Sequence, residues 1–421
     1  MKPTVIAAVA GLLVAACGGS TPAGPTQANG SPITIGVLDD HAASTAVEGA
    51  EMQVNTDLAV AQVNAAGGVH GHPLKVVYAD PQAAPDQAVS QAQSLVQQQN
   101  VDVLMGGVLS SECLGVENLV PRLQVVYLSS TGCAAEAFTS MQCNSYSFRF
   151  NATGRQTTIP LATYMVNTYG KHWGIIYPDY ALGQSNLAAF KVGLQAAGGD
   201  LVSNQTIPIP YPESNMTPYI SKIATDGSIS GLINSEVSAD LVRSSQVISQ
   251  FGISGKLPVV MFLGKDRFAG VYPDSLTGAV GYLPELSDSP SDNKADIAYH
   301  AAFRKQLASE PANIVTTLGG ADKAVPGQLG YQAFTGIMAL KEAMIASNFT
   351  GKANTQALIK SLSTLKMKQG PDAPAGDIVM NASDHQAVQS IYIVKINGQQ
   401  EQVISTITAD KMPPIGNCQV K

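Results

Sequence analysis

The sequence predicts two doubly wound α/β lobes that face each other across a ligand cleft. Three observations lead to that fold class. Short apolar runs rich in β-branched residues alternate with helical patterns. The alternation comes in two series, the second starting after about residue 152. The chain from Ile33 onward is about 390 residues long, more than one hydrophobic core usually holds.

The first series opens with Ile33–Leu38, a short apolar run that reads as a buried strand. Residues 46–65 carry a helical pattern through Ala46, Ala50, Met52, Leu58, Ala59 and Val63, and Gly67-Gly68 stop it. Leu74 to Tyr78 is a second strand and Asp86 to Gln98 a second helix. Val101 to Met105 and Val125 to Ser129 are strands three and four. In the second series Ile159 to Tyr169 reads as a helix, Trp173 to Tyr177 as a strand, Ser185 to Ala197 as a helix and Gly231 to Ile233 as a strand. Asp240 to Phe251 and Pro258 to Phe262 follow as helix and strand. Such alternation implies parallel sheets with helices on both faces and ligands bound beyond the carboxyl ends of the strands.

The amino terminus is a targeting signal rather than part of the fold. Met1-Lys2-Pro3 is a short basic start, Val5 to Leu12 is apolar but too short to span a bilayer, and small residues precede Cys17. This pattern resembles a bacterial lipobox and implies cleavage before Cys17 and lipid on its sulfur. The mature chain would then be anchored to a membrane outside the cytoplasm rather than span one. Residues 18–32 are rich in Gly, Pro, Ser and Thr and read as a disordered tether. Net charge is −7 with 13% charged residues and no basic cluster, which argues against a nucleic-acid partner.

Of the five cysteines, Cys17 is assigned to lipid. In an oxidising compartment the remaining four suggest two disulfides, for which three pairings exist. Cys133 and Cys143 bracket a short stretch after a predicted strand and are paired here, leaving Cys113 with Cys418.

These residues resemble a family: the type I periplasmic binding proteins of ABC importers, in the branch that binds leucine, isoleucine, valine and related ligands. The resemblance rests on the strand Ile33–Leu38 and on the helix-to-strand turn from Val63 through Asn64-Ala65-Ala66-Gly67-Gly68 to Leu74. It rests also on Asp80, Pro85 and Ala88 leading to Leu95, and on Gly106-Gly107-Val108-Leu109-Ser110-Ser111 with Tyr127 to Thr131. Later matches are Tyr177-Pro178-Asp179-Tyr180-Ala181-Leu182-Gly183, Gly376-Asp377-Ile378, and Ile391–Ile396 before Asn397-Gly398. It implies a three-stranded hinge with crossings near Phe150, Glu285 and Gly376. Residues 33–150 and 286–375 would form the N-terminal lobe, and residues 151–285 and 376–421 the C-terminal lobe.

The resemblance implies that first-lobe hydroxyls and backbone N–H groups grip a ligand carboxylate, where helix N-termini add a favourable dipole. Ser110 and Ser111 match one such loop, and Ser130, Thr131 and Gly132 another; each serine could equally open a helix. Cys133 stands where the family often has threonine, and a disulfide sulfur donates no hydrogen bond. In the second lobe Tyr180 matches an aromatic lid. Ser235 and Glu236, after Asn234, and Lys265 and Asp266, after Gly264, follow strands at their carboxyl ends. An acid for a ligand ammonium is expected among them, and Lys265 would favour an anion if it faces the cleft. Asp39-Asp40-His41 could touch the far end of the ligand or cap the next helix.

Catalytic and metal motifs are weak. His70-Gly71-His72 is a turn without a nearby acid or thiol, so no metal is expected there. Ser110-Ser111-Glu112-Cys113 lacks a nucleophile elbow, and no phosphate loop occurs. The expected function is therefore cofactor-free. The chain would be a monomeric solute-binding lipoprotein, not an enzyme. It would close on an amino acid, amide or small organic or aromatic acid and deliver it to an importer permease. A ligand-sensing receptor of the same fold is the alternative, and an exported hydrolase would need a nucleophile–base pair that the sequence does not show.

Overall fold

A computed structural model describes residues 1, 28–140, 143–290, 292–412 and 418–420. The signal, Cys17 and the tether up to residue 27 lie outside the described residues. The last tether residues are not free: Gly30 N–H donates to Gly71 O at 2.8 Å, and His72 Nδ1 lies 2.8 Å from Ser31 O.

The strands among the described residues, in chain order, are β1 (Ile33–Leu38), β2 (Leu74–Ala79), β3 (Val103–Gly106), β4 (Val126–Ser129), β5 (Ser147–Arg149), β6 (His172–Pro178), β7 (Asp200–Ile209), β8 (Gly231–Asn234), β9 (Val259–Met261), β10 (Val280–Leu283), β11 (Lys366–Met367), β12 (Ile378–Asn381), β13 (Gln386–Gln389), β14 (Ile391–Asn397) and β15 (Gln400–Ile407). They build two sheets, one of eight strands in the order β11-β12-β13-β5-β4-β3-β1-β2 and one of seven in the order β15-β14-β10-β9-β8-β6-β7. Two α/β lobes result. The sheets are mixed rather than wholly parallel, because β11–β12, β12–β13, β10–β14 and β14–β15 pair antiparallel toward the edges, where β12–β13 and β14–β15 are hairpins.

The central strands are buried along their length, as helices on both faces require: every residue of β3, β4 and β8 is buried. In the first lobe the Ala46–Ala65 and Gln328–Ser347 helices pack together over β1 and β3, with Met52, Phe334, Ile337 and Leu340 in the core. Gly330 permits that approach, since a Cβ there would stand 2.1 Å from Glu51 Oε2 and 2.2 Å from Asn55 Nδ2. The second lobe begins with the Gly154–Tyr169 helix, five residues earlier than periodicity alone marks. A capping box fixes its start: Thr153 Oγ1 accepts from Gln156 N–H, and Gln156 Oε1 accepts from Thr153 N–H.

The chain passes between sheets three times: between β5 and the Gly154–Tyr169 helix, between β10 and the Lys294–Leu307 helix, and at Ser390 between β13 and β14. The third passage corrects the expectation at Gly376. Residues 378–389 form a hairpin that extends the first sheet, joined to β5 through Gln386 and Arg149.

The cysteine pairing is also corrected. Cys113 bonds Cys133 and Cys143 bonds Cys418, with Cα atoms 5.8 and 6.1 Å apart. Cys133 sits at φ 65° and turns back toward the Ser110–Leu123 helix, where Cys113 is fully buried. Neighbours in sequence are thus not neighbours in space. Replacing Cys113 and Cys133 together by alanine should lower stability by about 3 kcal/mol, the value for a loop of this length. Denaturant unfolding measures this, and mass mapping of unreduced peptides should recover Cys143 linked to Cys418.

Candidate functional site

A cleft of about 610 Å³, counting its mouth, opens between the lobes. Its first-lobe wall is made by Glu48, by Val108 and Leu109 after β3, by Thr131 to Ala134 after β4, and by Gln328, Leu329 and Gln332 at the start of a long helix. Its second-lobe wall is made by Tyr180 and Leu182 after β6, Val237 and Ser238 after β8, Phe262 and Arg267 after β9, and Tyr282 in β10. Asn151, Ala152 and Pro284 from two of the crossings complete it. Most of these residues follow strands at their carboxyl ends, as open α/β sheets dictate.

The lobes touch across this cleft. Arg267 Nη1 of the second lobe lies 2.8 Å from Glu48 Oε1 of the first, with both side chains at least nine-tenths buried. Glu136 N–H donates to Ser185 Oγ at 2.9 Å, and the Tyr180 ring, 5.0 Å from that of Tyr211, packs against the first-lobe core. Burial pulls the Arg267 pKa down, but Asp266 and Glu48 outweigh it and hold the guanidinium above its usual value. Burial in turn raises Asp266 to about 6, partly offset by Arg267. Arg267 Nε, Glu48 Oε2, Gln328 Oε1 and Gln332 Oε1 are buried with no partner among the described residues. One donor and three acceptors on residues that line the cleft are thus left without a partner among the described residues.

The structure brings three of the expected ligand residues into the cleft: Thr131, Gly132 and Tyr180. Gly132 lies so close to the preceding loop that a Cβ would stand 1.6 Å from Val108 O, so only glycine fits. Thr131 Oγ1 is engaged by Gly107 O at 2.7 Å. The others lie elsewhere. Ser110 and Ser111 open the Ser110–Leu123 helix, and Ser110 Oγ accepts from Ala135 N–H. Ser130 is fully buried and turned toward Gly336. Ser235 Oγ accepts from Asn186 Nδ2, and Glu236 is fully buried with neither carboxylate oxygen partnered among the described residues. Lys265 Nζ lies 2.6 Å from Asp288 Oδ2 and lines no part of the cleft, and Asp266 stands behind Arg267 against Gly327. Asp39 pairs with His41, and Asp40 accepts from Ala42 and Ala83 N–H, so these residues order their own loop.

The helix N-terminus expected to hold a carboxylate is filled from within. Glu112 Oε2 accepts from both Val108 and Leu109 N–H, and burial, then Asp40, raises its pKa to about 8. Sequence reasoning missed Glu48, Arg267, Gln328, Gln332 and Tyr282. The one available signal was a second cation, Arg267, two residues past Lys265.

Comparison with known proteins fits this geometry. The family model for periplasmic binding proteins matches residues 32–401. The chain belongs to that family. Its fold is that of the type I members. It is 25% identical over 197 residues to Leu/Ile/Val-binding protein homolog 6 of Brucella abortus, covering 47% of this chain and 49% of that protein. The chain thus matches about half the length of this curated relative. Among solved structures it resembles a Rhodopseudomonas palustris solute-binding protein in complex with benzoate (TM-score 0.78, 18% identity, 93% of this chain and 99% of that one). It also resembles the leucine-, isoleucine-, valine-, threonine- and alanine-binding protein of Brucella ovis in its closed conformation (TM-score 0.76, 19% identity, 93% and 100%). At these identities the likeness is one of fold. No described helix of this periplasmic binding protein is long and apolar enough to cross a membrane.

Glu236 carries a pH prediction. Burial, then Asp240, raises its pKa from 4.5 to about 9. The folded state therefore holds a proton that the unfolded state releases between those values. Its contribution is fully present below pH 4.5 and is lost as pH rises toward 9. Glu236→Gln should be more stable than the parent by at least about 1 kcal/mol at pH 8 and equal to it at pH 4. Thermal melts at the two pH values read this, and equal stability at both would contradict it.

Proposed function

We propose that the chain is an extracytoplasmic, lipid-anchored solute-binding protein that captures a small carboxylate with an apolar body and delivers it to an ABC importer. The observation that carries this reading is Arg267, a buried guanidinium with Nε unpartnered among the described residues, in a cleft walled by Tyr180, Phe262, Tyr282, Val108 and Leu109. A carboxylate is its natural complement, because charge-assisted hydrogen bonds to guanidinium are among the strongest available. Glu48, Gln328 and Gln332 supply acceptors for a second, hydrogen-donating group on the ligand, either an ammonium or a hydroxyl. Hydroxylated aromatic acids and apolar amino acids both meet that description. The names of the structural neighbours, which bind benzoate or branched amino acids, support this range.

Binding needs no covalent chemistry. A ligand that contacts both walls has higher affinity for the closed arrangement than for an open one, and that difference drives closure. Delivery to a permease is supported by the likeness in fold to an ABC transporter substrate-binding protein from Sphaerobacter thermophilus. Lipid anchoring rests on the sequence around Cys17.

A thermal-shift screen of residues 28–421 against amino acids, amides and aromatic and aliphatic acids tests the reading. A ligand of the folded state raises the melting temperature as its concentration passes Kd. A carboxylate should score and its amide should not. Arg267→Gln should weaken that ligand at least ~100-fold, the scale of a lost buried charge contact, and Tyr180→Ala should cost one to a few kcal/mol, roughly an aromatic anchor. Equal shifts for acid and amide would remove Arg267 from recognition. Separately, Cys17→Ser should move the protein from the membrane fraction to the soluble one.

A further inference from the structure

Away from the cleft, the second crossing holds a cluster that the binding reading does not use. Glu285 follows β10, and Asp296 and His300 lie four residues apart on the Lys294–Leu307 helix, so both face it. All three are buried, at 3%, 1% and 4% exposure. One ligating atom from each lies within 4.8 Å of the others. His300 Nε2 is 2.6 Å from Glu285 Oε1 and 3.9 Å from Asp296 Oδ2. These distances bracket the ~3.3 Å edge of a tetrahedron with bonds of about 2.0–2.1 Å.

We propose that Glu285, Asp296 and His300 form a binding site for a divalent transition cation of the zinc type, with water as the fourth ligand. Two buried carboxylates beside one imidazole need either shared protons or a cation. Glu285 Oε2 and Asp296 Oδ1 are buried without a partner among the described residues, so the present contacts leave acceptor capacity in the cluster. Lys265 does not fill it, being committed to Asp288 at 2.6 Å. One nitrogen and two carboxylate oxygens suit zinc better than calcium or magnesium, which prefer oxygen alone. A hollow lined by Pro290, Asp292, Asn293 and Tyr392 lies beside the start of the Lys294–Leu307 helix. Asn293 borders it and also caps the helix by accepting from Asp296 N–H. A bound ion would pin the crossing segment to a first-lobe helix and stiffen the pivot between the lobes. His70 and His72, the only pair the sequence offered, instead hold a turn through Ile345 O and Ser31 O.

The test is calorimetric titration of ZnCl₂ into the chelator-treated protein, with Co²⁺ as a spectroscopic probe. One equivalent should bind with Kd below ~10 µM, and Co²⁺ should give the visible absorption of a tetrahedral site. His300→Gln and Glu285→Gln should each weaken binding at least tenfold and remove that absorption. His41→Gln and His172→Gln alter the other histidine–aspartate pairs and should change neither. Absence of a saturable equivalent overturns the proposal. So does binding that survives in folded His300→Gln and Glu285→Gln, or that is lost in His172→Gln or His41→Gln. Should the first two variants not fold, the parent's cobalt spectrum decides: absent tetrahedral absorption also overturns it.

Discussion

A buried guanidinium must find negative charge, and the arrangement of the cleft follows from how Arg267 meets that requirement. Its own lobe supplies Asp266 from behind, and the opposite lobe supplies Glu48 at 2.8 Å. Removing such ions from water costs several kcal/mol each, so the pair adds little net stability to the closed arrangement. Opening would return both groups to water. The balance between open and closed is therefore shallow, and a ligand that offers Arg267 a further anion, beyond Asp266 and Glu48, can shift it.

The same bookkeeping explains where anion recognition sits. In a doubly wound lobe the start of the Ser110–Leu123 helix is the expected place for a carboxylate, because its N–H groups point into the cleft end of the sheet. Here Glu112 accepts from Val108 and Leu109 N–H, and the side chains of those two residues present only apolar surface. Cys133 is in a disulfide and donates nothing. The Val108 and Leu109 N–H groups of the first-lobe wall are taken by Glu112, and the second-lobe wall carries Arg267. On the proposed reading, carboxylate recognition comes from across the cleft, and an aromatic or branched body can lie against Val108 and Leu109.

Much of the fold was legible because it depends on local pattern. The buried run of β1, the Gly67-Gly68 stop and the loop before Tyr180 are read from residues adjacent in sequence. The hairpin of β12 and β13 was not: Gly376 resembles a crossing, and only pairing of Gln386 with Arg149, more than two hundred residues away, shows that the chain stays in the first sheet. The cysteine pairing failed for the same reason, since the left-handed turn at Cys133 aims its sulfur backward. At the site, Lys265 and Arg267 both follow β9, and sequence offers no means to tell which faces the cleft. The 3₁₀ turn at Lys265–Phe268 separates their directions, sending one to Asp288 and the other to Glu48.

The two walls of the cleft are also held differently. The loop from Thr131 to Ala135 is fastened by the Cys113–Cys133 bond, by the contact of Gly132 with Val108, and by Arg149, whose guanidinium donates to Cys133 O and Ala135 O. Arg149 ends β5, the last strand before the first crossing, so the hinge and this wall share one rigid frame. The opposite wall is built from side chains on separate loops after β6, β8 and β9, joined mainly by packing. On the proposed reading, the first lobe sets the shape of the cleft and the second supplies its cation. A change of ligand within this architecture would be reached most readily through Tyr180, Phe262 and Arg267, because altering them leaves the frame around Arg149 intact.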